Sequence, residues 1–273
     1  MSDATGPYEA LKADLGYLGL GRAAECFAGL AEEAKAESWS HVSYLARVMA
    51  EQVMATTNRR LAARLRQARF PYQRTIEEFD FEFQPSIDAK LVLDLASLRF
   101  IPEGRSIAFL GQPGCGKTHL AVALATLAVE AGYRGYFTTA DDMVVALGRA
   151  RVEGTWPSKL RAYTSPTVLV IDDVALLPMA RDAAASFFHV INHRYERNLP
   201  TLVTTNRGLP AWGPAFGDEV VAGAILDRIV HRAVVFNIAG PSWRMREHQA
   251  LAEAARQGEH HPTPTPKGGR SVR

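Results

Sequence analysis

Five short apolar runs constrain the fold of this chain more than any other feature. They are Ile107–Leu110, Tyr133–Thr138, Thr167–Ile171, Thr201–Thr205 and Val234–Ile238. Stretches of helical character fall between and after them: Thr118–Ala131, Asp141–Val152, Arg181–Asn198, Val220–Val230 and Ser242–Gln257. Strands that are apolar along most of their length have to be covered on both faces. Their alternation with helices predicts an α/β fold, a central parallel sheet flanked by helices.

Upstream the pattern is helical throughout. Tyr8–Leu15 opens a helix that Gly19 and Gly21 interrupt, and Ala23–Glu37 is rich in the helix formers Ala, Leu and Glu. After Ser40, Val42, Leu45, Val48, Met49 and Val53 fall at helical spacing, and Pro71 ends that long helix. Phe70, Phe79, Phe81 and Phe83 then mark a Pro-containing linker able to pin itself to a neighbouring domain by burying its rings. Leu91–Leu98 reads as a helix leading into the core. The expected organisation is a small all-α N-terminal domain over residues 1–75, a linker and leading helix over 76–100, the α/β domain over 101–257, and a disordered tail over 258–273.

Composition removes several classes. Hydrophobic residues make up 47% of the 273, which suffices for a core. No apolar run reaches the roughly 18 residues needed to cross a bilayer, and the residues after Met1 show neither a basic start nor an apolar leader. Two cysteines, Cys26 and Cys115, make neither a disulfide framework nor a zinc site. The expectation is a reduced, cytoplasmic protein. The net charge of +2 names no partner, but its distribution is uneven. Six arginines and no acid lie between Thr56 and Thr75: Arg59, Arg60, Arg64, Arg66, Arg69 and Arg74.

The segment Gly111-Gln112-Pro113-Gly114-Cys115-Gly116-Lys117-Thr118 fits the pattern G-x-x-x-x-G-K-[ST] between the first strand and a helix, the context that pattern requires. Glycines let successive backbone N–H groups turn inward around phosphate oxygens. The following helix offers its positive end to the same oxygens, with His119 continuing the binding segment. Lys117 would reach the β- and γ-phosphates, and the Thr118 hydroxyl would ligate Mg²⁺. Asp172 ends an apolar strand 55 residues after Lys117, where a carboxylate can hold Mg²⁺ opposite Thr118. Asp173 would orient and polarise an attacking water. Asn206 closes the next strand and could bond the γ-phosphate or that water; taken alone it is also good turn chemistry. Arg228, late in a helix, and Arg244, early in the last one, could each stabilise charge on a transferred phosphoryl group, from the same or a neighbouring subunit. Either, in isolation, is more often a surface ion-pair residue.

Together these residues resemble a family. Residues about 8–250 are similar to the IstB-like ATP-binding proteins, helper ATPases of bacterial insertion-sequence transposition. They are of the AAA+ class and close to the helicase loaders DnaC and DnaI. The likeness rests on Arg66-Gln67-Ala68-Arg69-Phe70-Pro71, Phe79-Asp80-Phe81, Gly111–Leu120, Arg194-Tyr195-Glu196-Arg197, Thr204-Thr205-Asn206-Arg207, Ala224–Arg228 and Ser242-Trp243-Arg244. The resemblance implies ATP with Mg²⁺ and a P-loop AAA+ domain in which the strand before Asn206 lies between the phosphate-loop strand and the Asp172 strand. It also implies Asn206 as γ-phosphate sensor, Arg228 as a finger acting on a neighbour's ATP in a homo-oligomer, and Arg244 as a lid-helix sensor. Its partners would be double-stranded DNA and a transposase. One departure stands out. The family usually carries Asp-Glu where this chain has Asp172-Asp173, so the second carboxylate sits roughly 1–1.5 Å further back, and an offset of about 1 Å can cost ~10²-fold in rate.

Arg59, Arg60, Arg64, Arg66 and Arg69 lie on a predicted helix as candidate contacts to DNA phosphates; a solvated face is the bland reading. His189 and His193, four apart on a helix, lack a third metal ligand and read as structural. Trp156, between Gly154-Thr155 and Pro157, reads as a loop residue that packs. Cys115 reads as a small packing residue. Alternatives to a transposition helper are a helicase loader, a slowly or non-hydrolysing ATP switch, and a small-molecule kinase for which no acceptor site is visible.

Overall fold

The computed structural model describes residues 6–176, 178–246 and 249. Most of the helix expected over Ser242–Gln257, and the whole tail 258–273, lie outside the described residues. The chain divides into two compact units, with the boundary between Gln67 and Ala68.

The first unit consists of α1 (Pro7–Tyr17), α2 (Gly21–Ala36) and nearly all of α3 (His41–Ala68). Its core is small: Ala23, Phe27, Leu30 and Val48, with Leu15, Leu20, Cys26 and Tyr44 packed around them. Polar bonds supplement it. The Ala23 amide, unpaired within the first turn of α2, donates to Gln52 Oε1 at 3.0 Å, and Tyr44 Oη donates to Phe27 O at 3.0 Å. Arg59, Arg60 and Arg66 are exposed, and among the described residues no carboxylate pairs with them.

The second unit holds α4 (Ala89–Ala96), β1 (Ile107–Gly111), α5 (Lys117–Glu130), β2 (Gly135–Thr139), α6 (Ala140–Val152), α7 (Trp156–Thr164), β3 (Val168–Asp172) and α8 (Arg181–Glu196). There follow β4 (Thr201–Thr205), α9 (Trp212–Phe216), α10 (Glu219–Val230) and β5 (Val234–Ile238). The strands form one parallel sheet in the order β2-β3-β4-β1-β5. The strand leading to Asn206 therefore lies between the phosphate-loop strand and the Asp172 strand, as the resemblance implies.

Side chains alternate across each strand, so two cores form. On one face Ile107, Phe109, Val168, Val170 and Leu202 meet α4 and α5; on the other Ala108, Leu110, Leu169, Ile171 and Val203 meet residues of α6, α8, α9 and α10. From Leu120 to Ala125 every residue of α5 is buried, as befits a helix apolar on all sides. Among the described residues no helix is long and apolar enough to cross a membrane.

Three local readings change. Trp156 opens helix α7 instead of sitting in a loop; Pro157 is compatible with a helix start because the first N–H groups have no intrahelical acceptor anyway. Arg69 is not on the arginine-bearing helix: α3 ends at Ala68 and Arg69 turns left-handed at φ 57° before Phe70-Pro71 breaks the run. The helix α8 ends at Glu196, with Asn198 left-handed at φ 52°.

Candidate functional site

Parallel strands place their C-terminal ends side by side, and Gly111, Asp172 and Thr205 end β1, β3 and β4 there. The loop leaving β1 needs its glycines. Gly114 and Gly116 have φ of 82° and 95°, and a Cβ on them would lie 2.1 Å from Ser242 Oγ and 2.5 Å from the Phe79 ring. The linker expected to pin itself down does so here. Phe79 packs on Gly116 and meets the His119 ring edge-on at 5.3 Å, while His119 Nε2 donates to Thr75 O at 2.8 Å. Burial pushes the His119 imidazole below its usual range, which suits that neutral, single-donor role.

Across the loop, residues 239–246 close the frame. Trp243 N donates to Gly114 O at 2.9 Å, Gln84 Nε2 donates to Pro241 O at 2.7 Å, and Phe83 meets Trp243 edge-on at 5.1 Å. The cavity so enclosed measures ≈ 400 Å³ and is lined by Gly114–His119, Tyr72, Phe79, Trp243 and Arg244 among others. Arg244 is thus brought to the phosphate loop.

Lys117 is buried, its Nζ donating to Gln112 O at 2.8 Å. Burial lowers its pKa, opposed by Cys115, Asp173 and Asp172. Thr118 Oγ1 donates to Asp172 Oδ1 at 2.8 Å, and the buried Thr204 hydroxyl donates to the same oxygen. Asp173 is left-handed at φ 55°, its N–H donating to Thr204 Oγ1 at 3.0 Å, and Asn206 Nδ2 donates to its Oδ1 at 3.4 Å. Thr204, which organises both aspartates, entered the sequence reading only as part of the Thr204-Thr205-Asn206-Arg207 motif, with no role of its own. With hydroxyls also at Thr201 and Thr205 of the same strand, nothing in the sequence marks Thr204 as the one that meets the aspartates.

Arg228 is not brought to this site. Its cavity of ≈ 230 Å³ is lined by Gly104 and Ser106, which precede β1, and by Thr201, which begins β4, at the opposite end of the sheet. His189 faces Trp156 and Phe188 rings, and no cluster of three metal-ligating side chains occurs among the described residues. Trp156 packs on the core beneath Arg151, whose guanidinium lies 4.3 Å from its ring centre. Of the arginine stretch, Arg69 lies over the Tyr136 ring at 5.6 Å and Arg74 pairs with Glu78 at 3.7 Å.

Burial raises the Asp172 carboxyl above its ordinary value, against the opposing Thr204 and Thr118 hydroxyls. An acid whose folded pKa exceeds its unfolded one loses stability as pH rises through that range. Asp172→Asn keeps an Oδ1 acceptor for both hydroxyls and removes the charge. It is therefore expected to raise the melting temperature at pH 7, with the gain shrinking at pH 4. Calorimetry at the two pH values checks this; an equal shift at both would remove ionisation as the cause.

Residues 13–251 match the family model described as IstB-like ATP binding protein. The chain is 39% identical over 230 residues to the ATP-binding protein of insertion sequence IS5376 from Geobacillus stearothermophilus, covering 84% of this chain and 91% of that one. It is also 39% identical over 218 residues to the ATP-binding protein of insertion sequence IS21 from Pseudomonas aeruginosa, covering 80% and 82%. Among solved structures it is similar to DnaI, at a TM-score of 0.52 and 21% identity over 61% of this chain and 91% of that one.

Proposed function

From the premise that this chain belongs to the IstB-like ATP binding proteins, we propose that it is an AAA+ ATPase that assembles with copies of itself on double-stranded DNA and recruits or activates the transposase of an insertion sequence. The observation that carries the reading is the meeting of the glycine-framed loop, the Thr118–Asp172 bond and the Asp173–Asn206 bond at one end of the sheet.

The backbone of Gly111–His119 would hold the phosphates of ATP, with Lys117 as their point charge. The oxygen donors Thr118 and Asp172 suit Mg²⁺, which would screen phosphate charge when bound. Asp173, oriented by Asn206, would align the attacking water, and Arg244 would read the nucleotide from the lid side. The Asp173 side chain, one methylene shorter than glutamate, would make turnover slow. Arg228 would serve a neighbouring copy. The charge of Arg59, Arg60 and Arg66, without carboxylate partners among the described residues, supports sequence-independent binding to phosphates.

The test is retention of an insertion-sequence transposase on DNA by this chain. It is expected with ATP and lost with ADP; retention indifferent to nucleotide would refute the proposed role. DNA binding has its own check. Replacing Arg59, Arg60 and Arg66 by alanine should flatten the log–log salt dependence of DNA affinity by roughly 0.9 per lost phosphate contact. ATP affinity should stay at the parent value. An unchanged salt slope in fluorescence anisotropy would remove the DNA contact from this segment.

A further inference from the structure

Arg228 is held in an unusual way for a charged side chain. Its Nε donates to Asn192 Oδ1 at 2.6 Å and its Nη1 to Ala224 O at 2.9 Å. The guanidinium lies 4.9 Å from the Phe188 ring centre and 6.0 Å from that of Tyr195. Every one of these partners is neutral, and among the described residues no carboxylate lies within 4 Å of it. Asn192 is itself fixed. Its Nδ2 donates to Glu196 Oε1 at 2.8 Å, and that bond decides which end of the amide faces Arg228. Phe188, Asn192, Tyr195 and Glu196 all come from α8, at spacings that put them on neighbouring turns.

We propose that Asn192 is a positioning residue for Arg228, with Glu196 setting the orientation of its amide. This rests on the reading of Arg228 as the group that meets a neighbouring copy's nucleotide. A finger must be aimed before the phosphate arrives and must still carry its charge on arrival. A carboxylate at position 192 would aim the guanidinium but also neutralise it. An amide oxygen aims it and leaves the charge for the anion. Glu196 stands one side chain further back, so its negative charge orders the amide instead of pairing with Arg228. The aromatic faces of Phe188 and Tyr195 restrict the guanidinium plane without supplying a competing anion.

The experiment is steady-state ATP hydrolysis by the full chain on DNA, with melting temperatures measured alongside. Asn192→Ala is expected to lower kcat by ~10²-fold, the scale of a roughly 1 Å misplacement, with KM and assembly unchanged. Asn192→Asp, nearly the same shape, should also lower kcat, because it keeps the hydrogen bond but pairs the charge. That variant also loses the donor to Glu196, so its melting temperature is read beside its kcat; a parent-like kcat for Asn192→Asp overturns the proposal. The Asn192→Ala, Arg228→Ala double variant should be no slower than Arg228→Ala alone. Additive losses, or parent-like kcat for Asn192→Ala beside a slow Arg228→Ala, would overturn the positioning role while leaving the finger intact. Parent-like kcat for Arg228→Ala would overturn the finger itself, and the positioning role with it.

Discussion

An equal mixture of Lys117→Ala and Arg228→Ala chains, each inactive alone, is expected to hydrolyse ATP. Lys117→Ala removes the buried ammonium of the phosphate loop and should abolish detectable nucleotide binding. Arg228→Ala should spare binding and lower kcat by ~10³-fold or more, because a finger stabilises charge that develops only in the transition state. The two sites cannot meet within one chain. Arg228 lines a cavity at the N-terminal end of β1, the phosphate loop follows the C-terminal end, and five residues of strand span roughly 17 Å. In a mixed assembly with head-to-tail contacts, roughly a quarter of interfaces pair the intact loop of one variant with the intact finger of the other. Phosphate release near that fraction of the parent rate is the expected result. A mixture as inactive as its components would assign Arg228 a structural role at its own surface.

The sequence was most readable where chemistry and backbone period coincide. The apolar runs ending at Gly111, Asp172 and Thr205 gave the sheet, and a parallel sheet leaves no freedom about which ends line up. The phosphate loop was readable because glycines at Gly114 and Gly116 answer to positive φ and to neighbours within 3 Å, constraints that leave a pattern in the chain. What could not be read depends on side chains meeting across elements. Nothing along the sequence pairs Asn192 with Arg228, 36 positions later; only the packing of α8 against α10 does. The Phe79 contact with Gly116 was foreseeable as ring burial but not as a lid on the loop. Trp156 went astray for a local reason. Gly154, Thr155 and Pro157 are turn residues, and the same residues suit the mouth of a helix, so composition alone left two answers and the core beneath the ring chose between them.

Arg194 carries the largest expected effect on stability. It is buried to 1% exposure on α8, with no carboxylate within 4 Å among the described residues. Burial pushes its guanidinium down to about 9, which leaves it charged at pH 7. Its donors go to the Tyr163, Pro166, Thr167 and Pro200 carbonyls and to Thr201 Oγ1, all between 2.7 and 3.0 Å. Tyr163 O lies in the last turn of α7, and the other acceptors enter β3 and β4, so one side chain closes the ends of three elements. Replacing a buried ion pair by apolar residues is often harmless because both partners can be changed. Here four of the acceptors are backbone and cannot be. Arg194→Met therefore strands three carbonyls, since Pro200 O keeps the Leu169 N–H at 3.4 Å, at ~1 kcal/mol or more each, on the order of 3 kcal/mol against a total of ~5–15. The melting temperature should fall by roughly 10 °C. Arg194→Lys, whose ammonium can satisfy at most about three acceptors, should fall between Met and the parent. Thermal unfolding of the three proteins decides the matter: a Met variant that melts with the parent would mean water reaches those carbonyls, and that the guanidinium holds nothing they could not find elsewhere.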